Sequence, residues 1–296
     1  MHIPEKLHQT PRHYALGKYI IHPDYKNNKG LEDWINNLAF EQAETDYNRM
    51  QLHSRKRNNL YSFTLPVIVK EVLLMVSRIS DDYKWYRRLN LWLVGLFKDY
   101  SLNAYYGGIA LEKIGIKSPK VIAHWDCKRQ TEASKSYLMY EKADATMTAL
   151  TLCRELPKVN SDATNIIAGI AKKLAAIVRH IHQHNIRHGD PHSGNFLVTS
   201  NLHDLKELTI QDCRNLEFHL IDLDKISFSD QEKPWKKKLL DIRCMRRFRV
   251  PGVDSITCLK LYLDRSPTLT EKLILKFWMR GGFNIYKWFK RTNKRI

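Results

Sequence analysis

Four polar residues have the types and the order that phosphoryl transfer requires. Asp190 and Asn195 lie five positions apart in the segment HGDPHSGN, and Asp222, in HLIDLD, comes at the end of a predicted apolar strand. A carboxylate such as Asp190 can orient an acceptor hydroxyl and take its proton, whereas Asn195 and Asp222 are the hard oxygen ligands that Mg²⁺ prefers. Lys70, in the upstream segment VIVKEV, supplies a fixed cation for the α- and β-phosphates of ATP.

The histidines around this loop suggest a different chemistry, a metal site. His180, His182 and His184 alternate by two within a predicted helix, and side chains two apart on a helix point about 200° away from each other. His180 and His184 could still share an ion, but zinc sites usually have three or four ligands. We favour the interpretation that these histidines end a helix, where imidazoles meet the C-terminal dipole.

Each piece of the phosphotransfer pattern also has an ordinary structural explanation. Gly-Asp-Pro and Ser-Gly-Asn form turns readily, and a lone lysine in a strand usually marks a sheet edge. His192 is expected to pack within the loop or to face the acceptor. What favours catalysis is that the loop residues and Asp222 follow Lys70 in the order that the chemistry needs.

Hydrophobic patterns predict the elements that position these residues. VIVKEV predicts a strand with Lys70 near its centre, and residues 161–184 predict the clearest helix, capped by Ser161 or Asp162. Further strands are predicted in the segments GIKSPKVIAHWDC, SKSYLMYEKADA, NFLVT, ELTIQDC and LEFHLIDLD, and helices over residues 84–114 and from 235 onward. A small strand-rich part before a larger helical part favours an α+β fold over alternating βαβ units.

The motifs resemble those of the protein-kinase-like fold. HGDPHSGN resembles the H-x-D-x-x-x-x-N catalytic loop, LIDLD the end of the D-F-G strand, and VIVKEV the V-A-I-K strand. The Gly-Asp-x-His-x-x-Asn form is similar to kinases of small molecules and glycolipids more than to protein kinases. Over about residues 65–250, with GIKSPKVIAHW and KKKLLDIRCMRRF, the chain resembles the bacterial lipopolysaccharide core kinase family, which phosphorylates heptose or Kdo sugars.

This resemblance implies a role for each residue of the loop and of the segment after it. His188 would brace the loop, and Asp190 would be the catalytic base. Asn195 and Asp222 would bind Mg²⁺. Asp241, in the following helix, would hydrogen-bond the backbone of the catalytic loop.

The resemblance also implies how ATP is held and how the chain is divided. Lys70 would grip ATP, and Glu141, in YLMYEKA, would lie at the hinge where backbone groups bind adenine. We expect a two-lobed protein-kinase-like fold of the α+β class, with a small β-rich N-lobe and a larger, mainly helical C-lobe. The expected parts are an N-terminal extension with the first strands (1–55), the N-lobe (56–143), the C-lobe (144–270) and a basic aromatic tail (271–296).

The chain departs from the protein-kinase pattern around the ATP site. No glycine occurs in residues 40–66, so the usual glycine-rich phosphate loop is missing from that segment. Glu112 lies too close to the following turn to be the helix C glutamate that pairs with Lys70. Asp99 or Asn103 is expected to take that part.

Further departures lie in the motifs themselves. Gly189 replaces the arginine that links the loop to phosphorylation of an activation segment, which argues against a phosphorylation switch. Leu223 and Asp224 replace the Phe and Gly of D-F-G, so we expect no flip of that motif. Asp224 either adds a ligand to the metal site or is merely exposed.

Composition limits where such a protein would act. Five dispersed cysteines without a C-x-x-C pair indicate a reducing compartment. The first residues lack the apolar region of a signal peptide, and no apolar run approaches the roughly 18 residues of a membrane-spanning helix. We therefore expect a cytoplasmic protein, in solution or peripheral on the inner face of the cell membrane.

The formal net charge of +18 is concentrated near the C-terminus, where residues 231–296 contain 18 Lys and Arg against 5 Asp and Glu. Such a surface attracts polyanions, and we expect an anionic glycolipid, the lipopolysaccharide core, as acceptor and the inner membrane as a docking surface. The aromatic and basic tail LILKFWMRGGFNIYKWFKR also fits a helix packed on the C-lobe or, less well, a nucleic-acid site.

Other functions remain open on the same motifs. The acceptor could be a small molecule of the aminoglycoside type or a protein, because specificity lies in loops that carry no readable code. A degenerate kinase-like protein that binds nucleic acid or another anion without catalysis also fits the missing glycine-rich loop.

Overall fold

The chain forms two compact units, one containing Met1–Ala145 and His219–Asp230, the other Thr146–Phe218 and Gln231–Ile296. The computed structural model describes residues 12–14, 17–36, 50–54, 58–65, 67–77, 100–127, 135–199, 204–229, 238, 241–242 and 255–274. Among these residues, no helix has the length and apolar character needed to cross a membrane.

The described part of the first unit contains a seven-stranded antiparallel sheet. Its strands are β1 (Arg12–Tyr14), β2 (Gly17–Ile21), β3 (Met50–Ser54), β4 (Asn58–Leu65), β5 (Lys70–Ser77), β6 (Val121–Cys127) and β7 (Lys135–Glu141). Their spatial order is β1-β2-β6-β7-β5-β4-β3. Alternate residues of β5 point into the core, namely Val72, Leu74 and Val76. The strands predicted in GIKSPKVIAHWDC and SKSYLMYEKADA are confirmed as β6 and β7.

The strand predicted for VIVKEV begins later than expected. Residues 67–69 form a turn in which the N–H groups of Ile68 and Val69 donate to Leu65 O, at 3.2 and 2.9 Å. Val69 has a positive φ of 52°. Lys70 is therefore the first residue of β5, and the prediction that it lies near the centre of a strand is wrong. The residues that suggested an earlier start form the tight turn from β4.

Helix α1 (Lys29–Asn36) packs its apolar side on this sheet. Trp34 stacks on Phe63 with ring centroids 6.0 Å apart and meets Trp125 edge-on at 6.1 Å. All three rings are buried, and burying a side chain of this size contributes about 2–3 kcal/mol. Residues of the predicted N-terminal extension thus share one core with the strands that follow.

Helix α2 (Tyr100–Lys113) packs against a turn further along the chain. A Cβ at Gly107 would come within 2.8 Å of Ile226 Cγ2, so glycine permits the close approach. The buried Asn103 donates from Nδ2 to Asp224 O at 3.4 Å. This helix confirms the second half of the first helical prediction, whose first half lies outside the described residues.

Long helices form the centre of the second unit. Its described elements are β8 (Met147–Thr148), α3 (Ala149–Val159), α4 (Ala163–Gln183), β9 (Phe196–Val198), which pairs with β8, and α5 (Ser255–Leu263). Helix α4 buries most of the face predicted from its apolar spacing: Ile166, Ile167, Ile170, Leu174, Val178 and Ile181. It begins after Asp162, whose carboxylate accepts from the side chain of Asn165 rather than from a backbone N–H.

The segment between β9 and β10 (Phe218–Leu220) is not the strand predicted for ELTIQDC. Asp212 Oδ2 accepts hydrogen bonds from Thr209 N and Oγ1 at 2.8 and 2.7 Å, and a 3-10 turn follows. Such local bonds from side chain to backbone compete with strand formation. The strands predicted in NFLVT and LEFHLIDLD are confirmed as the short strands β9 and β10.

Candidate active site

The loop after α4 is built around the backbone of Asp190. Asp190 N–H donates to Nδ1 of the buried His188 at 3.2 Å. Asn195 Nδ2 donates to Asp190 O at 2.9 Å. The peptide groups on both sides of Asp190 are thus held, while the residue itself is partly exposed.

A 3-10 turn at Ser193–Asn195 fixes the second polar residue of the loop. Gly194 N–H donates to His192 Nδ1 at 3.1 Å, and Asn195 N–H donates to His192 O at 2.8 Å. His192 therefore packs within the loop, the first of its two expected roles. Because the amide nitrogen of Asn195 faces Asp190 O, its Oδ1 is the atom suited to a cation.

Asp241 holds the start of this loop. Its fully buried carboxylate accepts the N–H of His188 at 3.1 Å and the N–H of Gly189 at 3.2 and 3.3 Å. The predicted hydrogen bond between Asp241 and the loop backbone is confirmed. Gly189 has a φ of 92°, a region that favours glycine, so the arginine of the protein-kinase loop would be strained here.

Two side chains that were not expected in the site surround Asp241. His182 Nε2 lies 3.1 Å from Asp241 Oδ2, and Arg187 Nε donates to Oδ1 at 2.9 Å. Burial raises the pKa of Asp241, but the hydrogen bond from His182 and the charge of Arg187 bring it below its ordinary value. His182 could have been found from its spacing, because it follows Val178 by four on the buried face, where a polar group needs a partner.

The neighbouring histidines end α4, as predicted. His184 is the C-cap residue, and its Nδ1 lies 2.9 Å from His180 O, so the imidazole can satisfy a carbonyl of the last turn. The rings of His180 and His184 are 4.5 Å apart. Within the described ranges, no group of three or more His, Cys, Asp or Glu side chains is placed to hold a metal ion.

In the first unit, Lys70 pairs with Glu141. Lys70 Nζ lies 2.7 Å from Glu141 Oε1, and Tyr25 donates its hydroxyl to the same oxygen. Burial raises the pKa of Glu141, but the hydrogen bonds from Lys70 and Tyr25 lower it below its ordinary value. The carboxylate at the predicted hinge therefore stays charged and is shared by two donors.

Asp99 or Asn103 was expected to pair with Lys70, and the structure describes only Asn103. Asn103 bonds the backbone at Asp224, so that expectation is wrong for Asn103, and Asp99 lies outside the described residues. Glu112, which was not expected to pair with Lys70, contacts His22 at 3.0 Å and Lys120 at 3.6 Å.

Asp222 lies on a turn near the end of β7. It is exposed and has φ 62° and ψ 52°, the left-handed region that residues other than glycine rarely adopt. Burial raises the pKa of Tyr140, and the negative charge of the nearby Asp222 raises it further. Backbone strain of this kind concentrates at functional sites. Asp224 is partly buried rather than merely exposed.

Comparison with known proteins decides the family. The model of the lipopolysaccharide kinase (Kdo/WaaP) family matches residues 109–262, just over half of the chain. The chain belongs to this family. The match includes Glu141, His188, Asp190, Asn195, Asp222 and Asp241, but it begins after Lys70.

A solved structure has a similar fold. The structure described as WaaP in complex with acyl carrier protein matches with a TM-score of 0.56 and 13% sequence identity, over 94% of this chain and 98% of that chain. The α+β, protein-kinase-like fold expected from the motifs is thereby confirmed. No match was found among curated proteins.

Proposed function

We propose that this member of the lipopolysaccharide kinase family transfers the γ-phosphoryl group of ATP to a hydroxyl of a heptose or Kdo sugar in the inner core. Asp190 orients that hydroxyl and takes its proton as the new O–P bond forms and the bond from the γ-phosphorus to the ADP oxygen breaks. ADP and a sugar phosphate leave. Catalysis then consists of positioning and charge neutralisation.

This proposal is supported by two hydrogen bonds that fix the backbone of Asp190. His188 Nδ1 accepts its N–H at 3.2 Å and Asn195 Nδ2 donates to its carbonyl at 2.9 Å. A general base needs this kind of fixed geometry together with access for the acceptor. We assign His188 as the residue that positions Asp190, since it contacts the backbone rather than the reacting hydroxyl.

The donor set fits Mg²⁺. Asn195 offers Oδ1 and Asp222 a carboxylate, and both are the hard oxygen ligands that Mg²⁺ takes. When bound, Mg²⁺ would neutralise charge on the phosphates of ATP. We assign Asn195 and Asp222 as its ligands, a role consistent with the exposure of Asp222.

On the nucleotide side, we propose that Lys70 exchanges its bond with Glu141 for the phosphates of ATP, and that backbone groups near Glu141 bind adenine. The exchange is supported by exposure, because the Lys70 side chain is 51% exposed. Ion pairs of this kind are held by little free energy.

We infer the acceptor and the place of action from the charge of the chain. A formal net charge of +18, concentrated near the C-terminus, favours an acceptor that already carries phosphate or carboxylate groups, at the inner face of the membrane.

The solved relative is described in complex with acyl carrier protein. We propose the same partner here, to be tested by co-purification from cells.

The test is mass spectrometry of the lipopolysaccharide core from cells with and without the gene. The core of the deleted strain should lack phosphate on one inner-core sugar, and the wild-type gene, but not Asp190→Asn, should restore it. A core with unchanged phosphate content would overturn the proposed acceptor. Transfer to an aminoglycoside or a protein by the purified enzyme would then identify the acceptor class.

A second candidate function is anion binding without catalysis. The segment before Lys70, residues 40–66, contains no glycine for a phosphate loop, whereas the net charge of +18 suits an anionic ligand. Steep salt dependence of RNA binding, without binding of MgATP, would favour this candidate over the kinase.

A further inference from the structure

A buried chain of hydrogen bonds runs through the second unit from α5 to the catalytic loop. Tyr262 Oη lies 2.9 Å from His182 Nδ1, and His182 Nε2 lies 3.1 Å from Asp241 Oδ2. The same carboxylate accepts the backbone N–H groups of His188 and Gly189. The exposed fractions are 6% for Tyr262, 3% for His182 and 0% for Asp241, so water does not compete for these bonds.

We propose that Tyr262 is a positioning residue for the catalytic loop and acts through His182 on Asp241. This chain of bonds ends on Asp241 and the backbone before Asp190, the proposed base. Tyr262 determines how firmly Asp241 holds the peptide groups that precede Asp190. Only the expected effect on kcat rests on the proposed kinase function.

The Asp241 carboxylate, at one end of this chain of bonds, determines which nitrogen of His182 carries the hydrogen. A carboxylate accepts hydrogen bonds and donates none, so His182 Nε2 carries the hydrogen that Asp241 receives. Arg187 already balances the charge of Asp241, with Nε at 2.9 Å from Oδ1. A neutral imidazole carries one ring hydrogen, and its other nitrogen is an acceptor. Its lone pair then lies on Nδ1, and the Tyr262 hydroxyl is the donor to it.

Two further contacts hold Tyr262 in place beside His182. Arg179, one turn before His182 on α4, donates from Nη1 to Tyr262 O at 3.2 Å. The rings of His182 and Tyr262 pack edge-to-face with centroids 5.5 Å apart. Removal of the hydroxyl leaves the ring packing in place but leaves the Nδ1 lone pair of His182 buried without its donor. The imidazole is then positioned less firmly against Asp241, and the carboxylate loses part of its hold on the loop.

The test compares Tyr262→Phe with a matched control at the same end of α5. Asp264→Asn removes the charge from the exposed 3.5 Å pair between Asp264 and Arg179, while Arg179 keeps its bond to Tyr262 O and the Tyr262 hydroxyl is retained. Long-range ¹⁵N–¹H spectra of the histidine side chains report the hydrogen on His182, and hydrogen exchange reports the amides of His188 and Gly189. Neither measurement depends on catalysis, so a protein without kinase activity would still decide the coupling.

In the wild type, His182 should carry its hydrogen on Nε2 alone. In Tyr262→Phe the ¹⁵N shift of His182 Nδ1 should move because its hydrogen bond is lost, and exchange of the His188 and Gly189 amides should rise about tenfold, as expected when one buried hydrogen bond is lost. The kcat should fall about five- to tenfold with KM for ATP within about twofold. Asp264→Asn should leave all of these values unchanged.

A wild-type spectrum with the hydrogen on Nδ1, or on both nitrogens, would overturn the proposal. That spectrum needs no variant, so the test holds even where Tyr262→Phe fails to fold. Unchanged amide exchange in a folded Tyr262→Phe protein, or an equal rise in Asp264→Asn, would also overturn it, because Tyr262 would then contribute only packing.

Discussion

Lys70 and Glu141 join the first residue of β5 to the last residue of β7 through an ion pair of 2.7 Å. Their chain neighbours make a second pair, in which Lys142 Nζ lies 2.8 Å from Glu71 Oε2. The two lysine side chains are 51% and 41% exposed, so the pairs differ little in solvent access. They differ in surroundings, since Tyr25 also donates to Glu141.

Replacing Lys70 by alanine should raise KM for ATP at least about tenfold, because the phosphates lose a charged donor. The free energy of unfolding should change by less than about 1 kcal/mol, since exposed ion pairs contribute little. Initial rates at varied MgATP concentration and thermal denaturation measure the two effects.

The matched control for this change is Lys142→Ala, which removes the neighbouring ion pair on the same strand ends. It should leave KM for ATP unchanged. Similar KM values for the two variants would remove Lys70 from the ATP site and leave it as a structural ion pair with Glu141.

Asp190→Asn should preserve the fold and abolish most of the activity. The amide keeps the size of the carboxylate, and the backbone bonds to His188 and Asn195 do not involve the side chain. Loss of a general base lowers kcat by about 10²- to 10⁴-fold. Initial rates measure kcat, and calorimetric titration should show unchanged ATP affinity. Turnover within tenfold of the wild type would exclude Asp190 as the base.

The loop motif predicted more of the site than the strand motif did. HGDPHSGN specifies short-range contacts, such as Asp190 N–H to His188 Nδ1, that depend on a few neighbouring residues. VIVKEV is rich in β-branched residues, which favour a strand wherever they occur. The turn before Lys70 depends on bonds to Leu65 O and on the geometry of the sheet, which propensity does not contain.

Contacts between distant elements were the part that could not be predicted. His182 and Tyr262 meet because α4 packs on α5, and no local pattern encodes that approach. In ELTIQDC, alternating apolar residues suggested a strand, but the bonds between Asp212 and Thr209 favour a turn.

Asn160 fastens the segment that replaces this strand. Its Nδ2 lies within 3.1 Å of three backbone carbonyls, those of Leu205, Lys206 and Leu208. Asn160→Ala removes the donor from these acceptors, at a cost of about 1–3 kcal/mol in the free energy of unfolding. Denaturant titration measures that cost, and limited proteolysis with mass spectrometry should show faster cleavage within residues 204–208.

Lys158→Ala is the control for the same region, because it removes only an exposed pair with Glu155 on α3. It should change neither stability nor cleavage. If Asn160→Ala were cleaved at the wild-type rate, other contacts would have to hold the segment.

Asp241 should make the stability of the protein depend on acid pH. Burial raises its pKa, but the bond from His182 and the charge of Arg187 place the folded-state pKa below the ordinary 3.8. Its contribution is therefore complete above pH 3.8 and is lost as the pH falls through the lower folded-state pKa. Asp241→Asn should cost about 3–5 kcal/mol near neutral pH. Urea titrations of both proteins should show this difference shrink by about 1.4 kcal/mol per pH unit below the ordinary pKa. A difference that stays constant into strong acid would mean that Asp241 does not hold the loop as a carboxylate.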